Sequence, residues 1–163
     1  MNIYLIRHGD AEKAAAGKKD FDRELTQSGR IKMKTASENW KNLIDKFDFI
    51  ISSPLVRTIQ TTQIIAEVLG ITNKIIPDRK LSPGCRVDSI IEMANSAGGE
   101  DIAFVGHQPD MSEILSDLIS SKGIIIDFKK GAIAKISFHN KVQLAKGSLE
   151  FLIPASAFNK KNV

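Results

Sequence analysis

Arg7 and His8 come directly after a short apolar run, Ile3 to Ile6, and are followed by Gly9. A strand that stops at an arginine and a histidine delivers both to one edge of a sheet. The arrangement recurs. Ser52-Ser53-Pro54, with Arg57 close behind, follows the run Asp48–Ile51, and Gly106-His107 follows Asp101–Val105. Two of the chain's 3 histidines and two arginines therefore gather at strand ends with almost no compensating carboxylate. The planar fork of arginine suits phosphoryl oxygens, and two arginines can hold a dianion from two sides. Ser53 and Arg57 are expected at a helix N-terminus, where the backbone dipole favours negative charge. Gly9 and Gly106 leave room for close approach of a ligand or for an unusual backbone turn. A neutral imidazole is a competent nucleophile toward phosphorus. One ring nitrogen must be unprotonated and in line, while the other donates to a fixed acceptor that sets the tautomer. Neighbouring arginines disfavour the imidazolium and hold the charge of the transferring group. Loss of one such donor typically costs about 3 kcal/mol of barrier.

These residues need elements to position them. Four β-like runs, Asn2–Ile6, Asp48–Ile51, Lys74–Ile76 and Asp101–Val105, alternate with helical patterns. From Thr26 to about Ile44, the residues Met33, Ala36, Trp40, Leu43 and Ile44 share a face. From Pro54 to Leu69 the stripe is Val56, Ile59, Ile65, Val68 and Leu69. A shorter helix is expected over Arg86–Ser96, and another after Pro109 with Ile114, Leu115, Leu118 and Ile119. Ser53-Pro54 reads as an N-cap followed by proline at the first helical position, Gly70 as a stop, and Asp110 with Glu113 as a capping pair. Toward the C-terminus, Gly123–Phe128, Gly131–Phe138 and Ser148–Ile153 are strand-like. His139-Asn140-Lys141 is expected as a turn, and Val142–Ala145 as a possible extension of the pairing. The expected fold class is α/β: a three-layer α/β/α sandwich whose central sheet is mainly parallel, with antiparallel C-terminal strands. In such sheets ligands sit beyond the carboxyl ends of the strands, where the histidines and arginines collect.

The chain of 163 residues suffices for one domain with a proper core, expected over 1–156, with 157–163 as a solvated tail. No apolar run approaches a membrane span, and no signal peptide is evident, so no membrane association is expected. Cys85 is the only cysteine, which excludes an internal disulfide and suits a cytoplasmic location. Cys85 shows no partner that would make it a catalytic thiol, and Trp40 reads as core. The net charge of +4 mildly favours anionic partners. The basic residues are scattered and aromatics are few, so no nucleic acid is expected.

Leu5-Ile6-Arg7-His8-Gly9 resembles the RHG signature of the histidine phosphatase superfamily, the phosphoglycerate-mutase-like enzymes. The resemblance continues in Leu25-Thr26 with Gly29, in Ser52-Ser53-Pro54 with Arg57 and Gln60-Thr61, and in Val105-Gly106-His107 with Pro109. Small size, the start Arg7-His8-Gly9-Asp10-Ala11 and Asp22-Arg23 before Leu25-Thr26 look like the SixA type of protein phosphohistidine phosphatase. The resemblance implies His8 as nucleophile, with Arg7, Arg57 and His107 forming the phosphate pocket, and no cofactor. It also implies no metal, and the sequence has no ligand cluster at metal-like spacing.

Larger members of the superfamily resemble one another in a glutamate after the third strand that protonates the leaving oxygen. Here that segment reads IIPDRKLSPGCRVDSIIE, whose only acids are Asp78, Asp88 and Glu92, the last expected on a helix. An alkoxide needs a positioned proton to leave, whereas a phosphohistidine ring protonated on its other nitrogen departs as neutral imidazole. The site is thus expected to favour P–N substrates. Asp10 is the first candidate for an acid–base role, and it could equally orient Arg7 or cap the following loop. Ser53 is a candidate for phosphate binding or simply a helix cap. Lys13, Lys18, Lys19, Arg79, Lys80 and Arg86 could ring an open mouth and meet an acidic protein. The expected function is removal of phosphoryl groups from histidine of partner proteins through a covalent phosphohistidine intermediate. The alternatives are a phosphatase of small esters such as sugar phosphates, and a non-catalytic phosphate-binding module. Oligomeric state is not encoded in any feature of the sequence.

Overall fold

β1 (Asn2–Arg7) is apolar along its length because neighbours cover it on both faces. In the computed structural model, which describes residues 1–158, it pairs in parallel with β4 (Asp101–Gly106) and antiparallel with β5 (Ile133–Ser137). β2 (Phe49–Ser52) lies parallel to both β4 and β3 (Ile75–Pro77), and β6 (Ser148–Ile153) runs antiparallel to β5. The 6-stranded sheet has the order β3-β2-β4-β1-β5-β6. The α/β architecture, mainly parallel with antiparallel C-terminal strands, is the one expected.

Alternation along the strands divides the core. Tyr4 and Ile6 face α1 (Gln27–Trp40) and α2 (Val56–Leu69), packing with Met33, Ala36, Trp40 and Ile65. Ile3 and Leu5 face α3 (Val87–Ser96) and α4 (Asp110–Ile119), packing with Ile90, Ile114, Leu115 and Leu118. Among the described residues no helix is long and apolar enough to cross a membrane.

Several local expectations are corrected. α1 ends at Trp40, which leaves Leu43 exposed while Ile44 remains buried. Of the aliphatic stripe anticipated on α2, only Ile65 is buried. The buried face of the helix is Arg57, Thr58, Thr61, Thr62, Ile65 and Ala66. The threonine hydroxyls donate back to carbonyls of Leu55, Arg57 and Thr58, so that the face is polar in sequence and satisfied in the fold. Ser53 is not the N-cap of α2, which is Leu55. The Ser53 amide donates to Val105 O at 3.0 Å, extending the ladder past β2. Asp110 forms no capping pair with Glu113: Pro109 occupies the cap position, and the Asp110 carboxylate accepts from the amides of Gly84 and Cys85.

Residues 123–128 are not a strand. Ser116 Oγ accepts from the Ile124 amide and Ser112 Oγ donates to Ile126 O, so side chains of α4 take the bonds a neighbouring strand would have supplied. The Val142 amide and carbonyl pair with the Asn95 side chain instead of extending the sheet. Gly70 does end α2, with φ 72°. Bends occupy residues 139–141, where a turn was expected. Residues 155–158 form a 3-10 turn, and the remainder of the expected tail lies outside the described residues.

The start of α1 is pressed against the loop that follows β1. Thr26 caps the helix by accepting from the Gly29 amide, and its own amide donates to Asp10 O at 3.0 Å. A Cβ on Gly29 would lie 2.1 Å from that same Asp10 oxygen. Gly29→Ala is therefore expected to cost about 3 kcal/mol and to displace the His8 loop. Urea denaturation measures the first effect, and a change below about 0.5 kcal/mol would show that α1 does not bear on the loop.

Candidate active site

Backbone bonds hold Arg7, His8 and Gly9 before any side chain acts. The Arg7 amide donates to Ala132 O and the His8 amide to Gly106 O, both at 3.1 Å. The Gly131 amide donates to the carbonyls of Arg7 and His8 at 3.1 and 3.0 Å. Gly131 has φ +69°, and a Cβ there would meet Met33 Sδ at 2.7 Å, so only glycine fits this clamp without strain. The Gly9 amide donates to Thr61 Oγ1 at 3.1 Å, one helical turn from Arg57 on the same face of α2. The glycines at 9 and 106 lie closely against methionine side chains. Their Cβ atoms would press on Met33 and Met111, each at 2.7 Å, and neither has positive φ.

The fold brings Arg7, His8, Ser53, Arg57 and His107 to one edge of the sheet. The rings of His8 and His107 lie 5.4 Å apart, tilted by 58°. His8 Nδ1 is 2.7 Å from Gly9 O. A carbonyl only accepts, so Nδ1 carries the proton and Nε2 keeps its lone pair. Burial pushes the His8 imidazole down to about 4. Arg57, Arg7 and Lys130 add to the effect, while the bond to Gly9 O opposes it. The ring is neutral at pH 7.

His107 is held from both sides. Arg57 Nη2 lies 3.4 Å from its Nδ1, and its Nε2 lies 2.8 Å from Ser53 Oγ. A guanidinium only donates, so Nδ1 accepts and the single proton sits on Nε2, facing Ser53. Burial first, then His8 and Arg57, lower His107 to about 3, against a smaller opposing pull from Asp20.

Arg57 is 5% exposed. Its Nη1 donates to Asp20 O at 2.7 Å and its Nη2 to Asp20 Oδ2 at 3.0 Å. Arg7 Nη1 donates to Phe128 O at 2.7 Å, and burial lowers the Arg7 guanidinium against the pull of Asp127. The Nε atoms of Arg7 and Arg57 are buried and have no hydrogen-bond partner among the described residues. Two guanidinium cations beside neutral imidazoles suit an anion with several oxygens.

Asp10 does not sit as an acid. Lys130 Nζ lies 2.5 Å from its Oδ1, and this bond holds the carboxyl below its ordinary value, so Asp10 is ionised. Of the cations expected to ring the mouth, Lys18 pairs with Glu12, Lys80 with Glu92 and Arg86 with Asp88. Lys13, Lys19 and Arg79 are exposed. A cleft of about 570 Å³ opens beside Arg7, with Lys32, Lys129 and Lys130 on its walls. Cys85 is buried, which raises its thiol to about 12 and leaves it inert. Among the described residues no group of three or more His, Cys, Asp or Glu is placed to hold a metal ion.

Sequence reasoning gave no role to Thr61, which fixes the Gly9 amide, or to Gln60, whose Oε1 accepts from the Leu25 amide at 2.8 Å. Their spacing from Arg57 was the available signal. It gave none to Asp20, which lies far from Arg57 in the chain and belongs to no periodic pattern.

Comparison with known proteins agrees with this geometry. The pattern of the Histidine phosphatase superfamily (branch 1) matches residues 3–82. An uncharacterized protein of Picosynechococcus sp. is 32% identical over 117 residues, covering 69% of this chain and 70% of that one. A phosphohistidine phosphatase SixA homolog of Haemophilus influenzae is 29% identical over 147 residues, 83% of this chain and 87% of that protein. Among solved structures, the protein histidine phosphatase SixA complexed with tungstate superposes with a TM-score of 0.85 at 20% identity, over 98% of this chain and 100% of that one.

Both buried imidazoles bind protons more weakly in the fold than at their ordinary value of 6.5. As pH falls below that value the unfolded chain takes up more protons, so stability must drop. Between pH 6.5 and 4.5 the loss is expected to reach about 1 kcal/mol or more per pH unit. The lowered carboxylates Asp10, Asp20 and Asp48, ordinarily at 3.8, and Glu12, ordinarily at 4.5, add to the loss only toward the acid edge of this window. Urea unfolding across the window measures the slope, and His8→Gln with His107→Gln should flatten it. A flat wild-type profile would contradict the assigned protonation.

Proposed function

This chain belongs to the histidine phosphatase superfamily and is a phosphatase, and from that membership we propose that it removes phosphoryl groups from phosphohistidine on partner proteins. The observation that carries this reading is the pairing of a neutral, tautomer-fixed His8 with an ionised Asp10. The site has a nucleophile ready for phosphorus, and the carboxyl group nearest to it in sequence has no proton to give.

His8 Nε2 attacks phosphorus in line, and the P–N bond to the substrate ring breaks. Arg7 and Arg57 hold the phosphoryl oxygens through their guanidinium N–H groups. His107 lines the same pocket as a neutral ring, steadied by Ser53 Oγ, so Ser53 acts on the phosphate through His107. Water then attacks phosphorus on His8, the P–Nε2 bond breaks, and inorganic phosphate leaves. A substrate imidazole protonated on its far nitrogen departs neutral, whereas an alkoxide would need a proton. The likeness to the Haemophilus influenzae SixA homolog supports the same substrate class. The cleft beside Arg7 carries Lys32, Lys129 and Lys130, the last two paired with Asp127 and Asp10, which leaves a small cationic excess toward a protein partner.

A phosphohistidine-bearing protein and a panel of phosphate esters, assayed side by side, test the reading. Faster turnover of the P–N substrate is expected, and comparable or faster ester hydrolysis would defeat it. His8→Ala should lower turnover by at least about 10³-fold and abolish an acid-labile phosphoenzyme trapped by rapid quench. Arg57→Ala should cost about 3 kcal/mol of barrier.

A further inference from the structure

The outer end of Arg57 is occupied by a carboxylate. Besides the two bonds from Arg57, Asp20 receives Arg23 Nη1 on its Oδ1 at 2.6 Å, and Arg23 Nε is anchored on Glu12 O at 2.7 Å. Asp20 begins a short 3-10 turn, Asp20–Asp22, in the exposed segment between β1 and α1. Its side chain is 58% exposed and that of Arg57 only 6%. The carboxylate therefore stands at the mouth of the pocket, while the guanidinium it holds reaches inward to His107. The bond from Arg23, reinforced by Arg57, keeps Asp20 below its ordinary value, so it is ionised and has no proton to donate.

We propose that Asp20 is a specificity-determining residue that selects a phosphorylated ring in its imidazolium form, its carboxylate accepting the N–H of the substrate ring nitrogen not bonded to phosphorus. This rests on the phosphohistidine reading. In-line attack from the buried His8 sends the leaving atom outward, and Asp20 is the exposed carboxylate bonded to the buried Arg57. The step balances without a co-reactant. The P–N bond of the substrate breaks and its electron pair returns to the ring nitrogen. The P–Nε2 bond to His8 forms, and the ring leaves as neutral imidazole keeping its far N–H. An anionic neighbour within a few ångströms favours the protonated ring and opposes negative charge developing on an alcohol oxygen. Asp20 thus acts in opposite directions on the two kinds of substrate.

The test uses Asp20→Asn, which keeps an oxygen for Arg57 and removes the charge. kcat/KM is measured at pH 8, above the ordinary histidine range, for a phosphohistidine peptide and for phenyl phosphate. The ratio of the first to the second is expected to fall about tenfold in the variant. A ratio that is unchanged or raised overturns the proposal, because loss of Arg57 positioning alone would lower both rates together. Should Asp20→Asn fail to fold, Asp20→Ser carries the test, with the same fall expected in the ratio and an unchanged ratio overturning the proposal. The wild-type ratio reports separately on the phosphohistidine reading: a wild-type enzyme that prefers the ester defeats that reading whatever the variants do.

Discussion

Arg57 is buried beside two imidazoles that cannot share its charge, and the electrostatics of the pocket follow from that. Placing a guanidinium out of water is costly unless its N–H groups find acceptors. Asp20 supplies two, His107 Nδ1 a weaker third, and Nε is left over. Burial keeps both imidazoles neutral, and the Arg57 charge reinforces this. His107 is forced into one tautomer by having to accept from Arg57, and His8 into the other by Gly9 O. The nucleophilicity proposed for His8 is thus a consequence of burial and of an obligatory acceptor, Gly9 O, rather than of an adjacent base.

Such an arrangement works only if the backbone does not yield. The loop after β1 is fixed by Ala132 and Gly131 on one side, Gly106 on the other, and Thr61 from α2. The polar buried face of α2 has its explanation here. Threonines that fold their hydroxyls onto their own helix let α2 approach the site closely, and one of those hydroxyls remains able to accept the Gly9 amide. An aliphatic stripe in the same place would have packed as well and positioned nothing.

Charge at the mouth differs from charge at the floor. Inside, cations face neutral rings. At the rim, Asp10 and Asp20 are both ionised by basic partners, so no proton donor stands among the groups bonded to the pocket cations. A phosphatase built this way handles best a leaving group that brings its own proton. No glutamate stands between β3 and α3, and the rim carboxylates are bases of low strength rather than acids.

Much was legible in the sequence because it was local. Strands that end in Arg7-His8, Ser52-Ser53 and Gly106-His107, alternating with helices, imply a parallel sheet with those residues at one edge, since parallel strands must all point the same way. What stayed hidden depends on residues distant in the chain. Periodicity counts apolar residues, so it passed over the threonine face of α2, whose hydroxyls are satisfied within the helix. Residues 123–128 have strand-like composition, yet Ser112 and Ser116 of α4 take the bonds of that segment. Asp20 met Arg57 only through the packing of an exposed turn against α2. By itself, the sequence determined the order of elements and the types of side chain at the strand ends, because those follow from local propensity and topology. Tertiary structure alone decided tautomers, charge states and which carboxylate stands at the mouth, because burial and long-range hydrogen bonds set them.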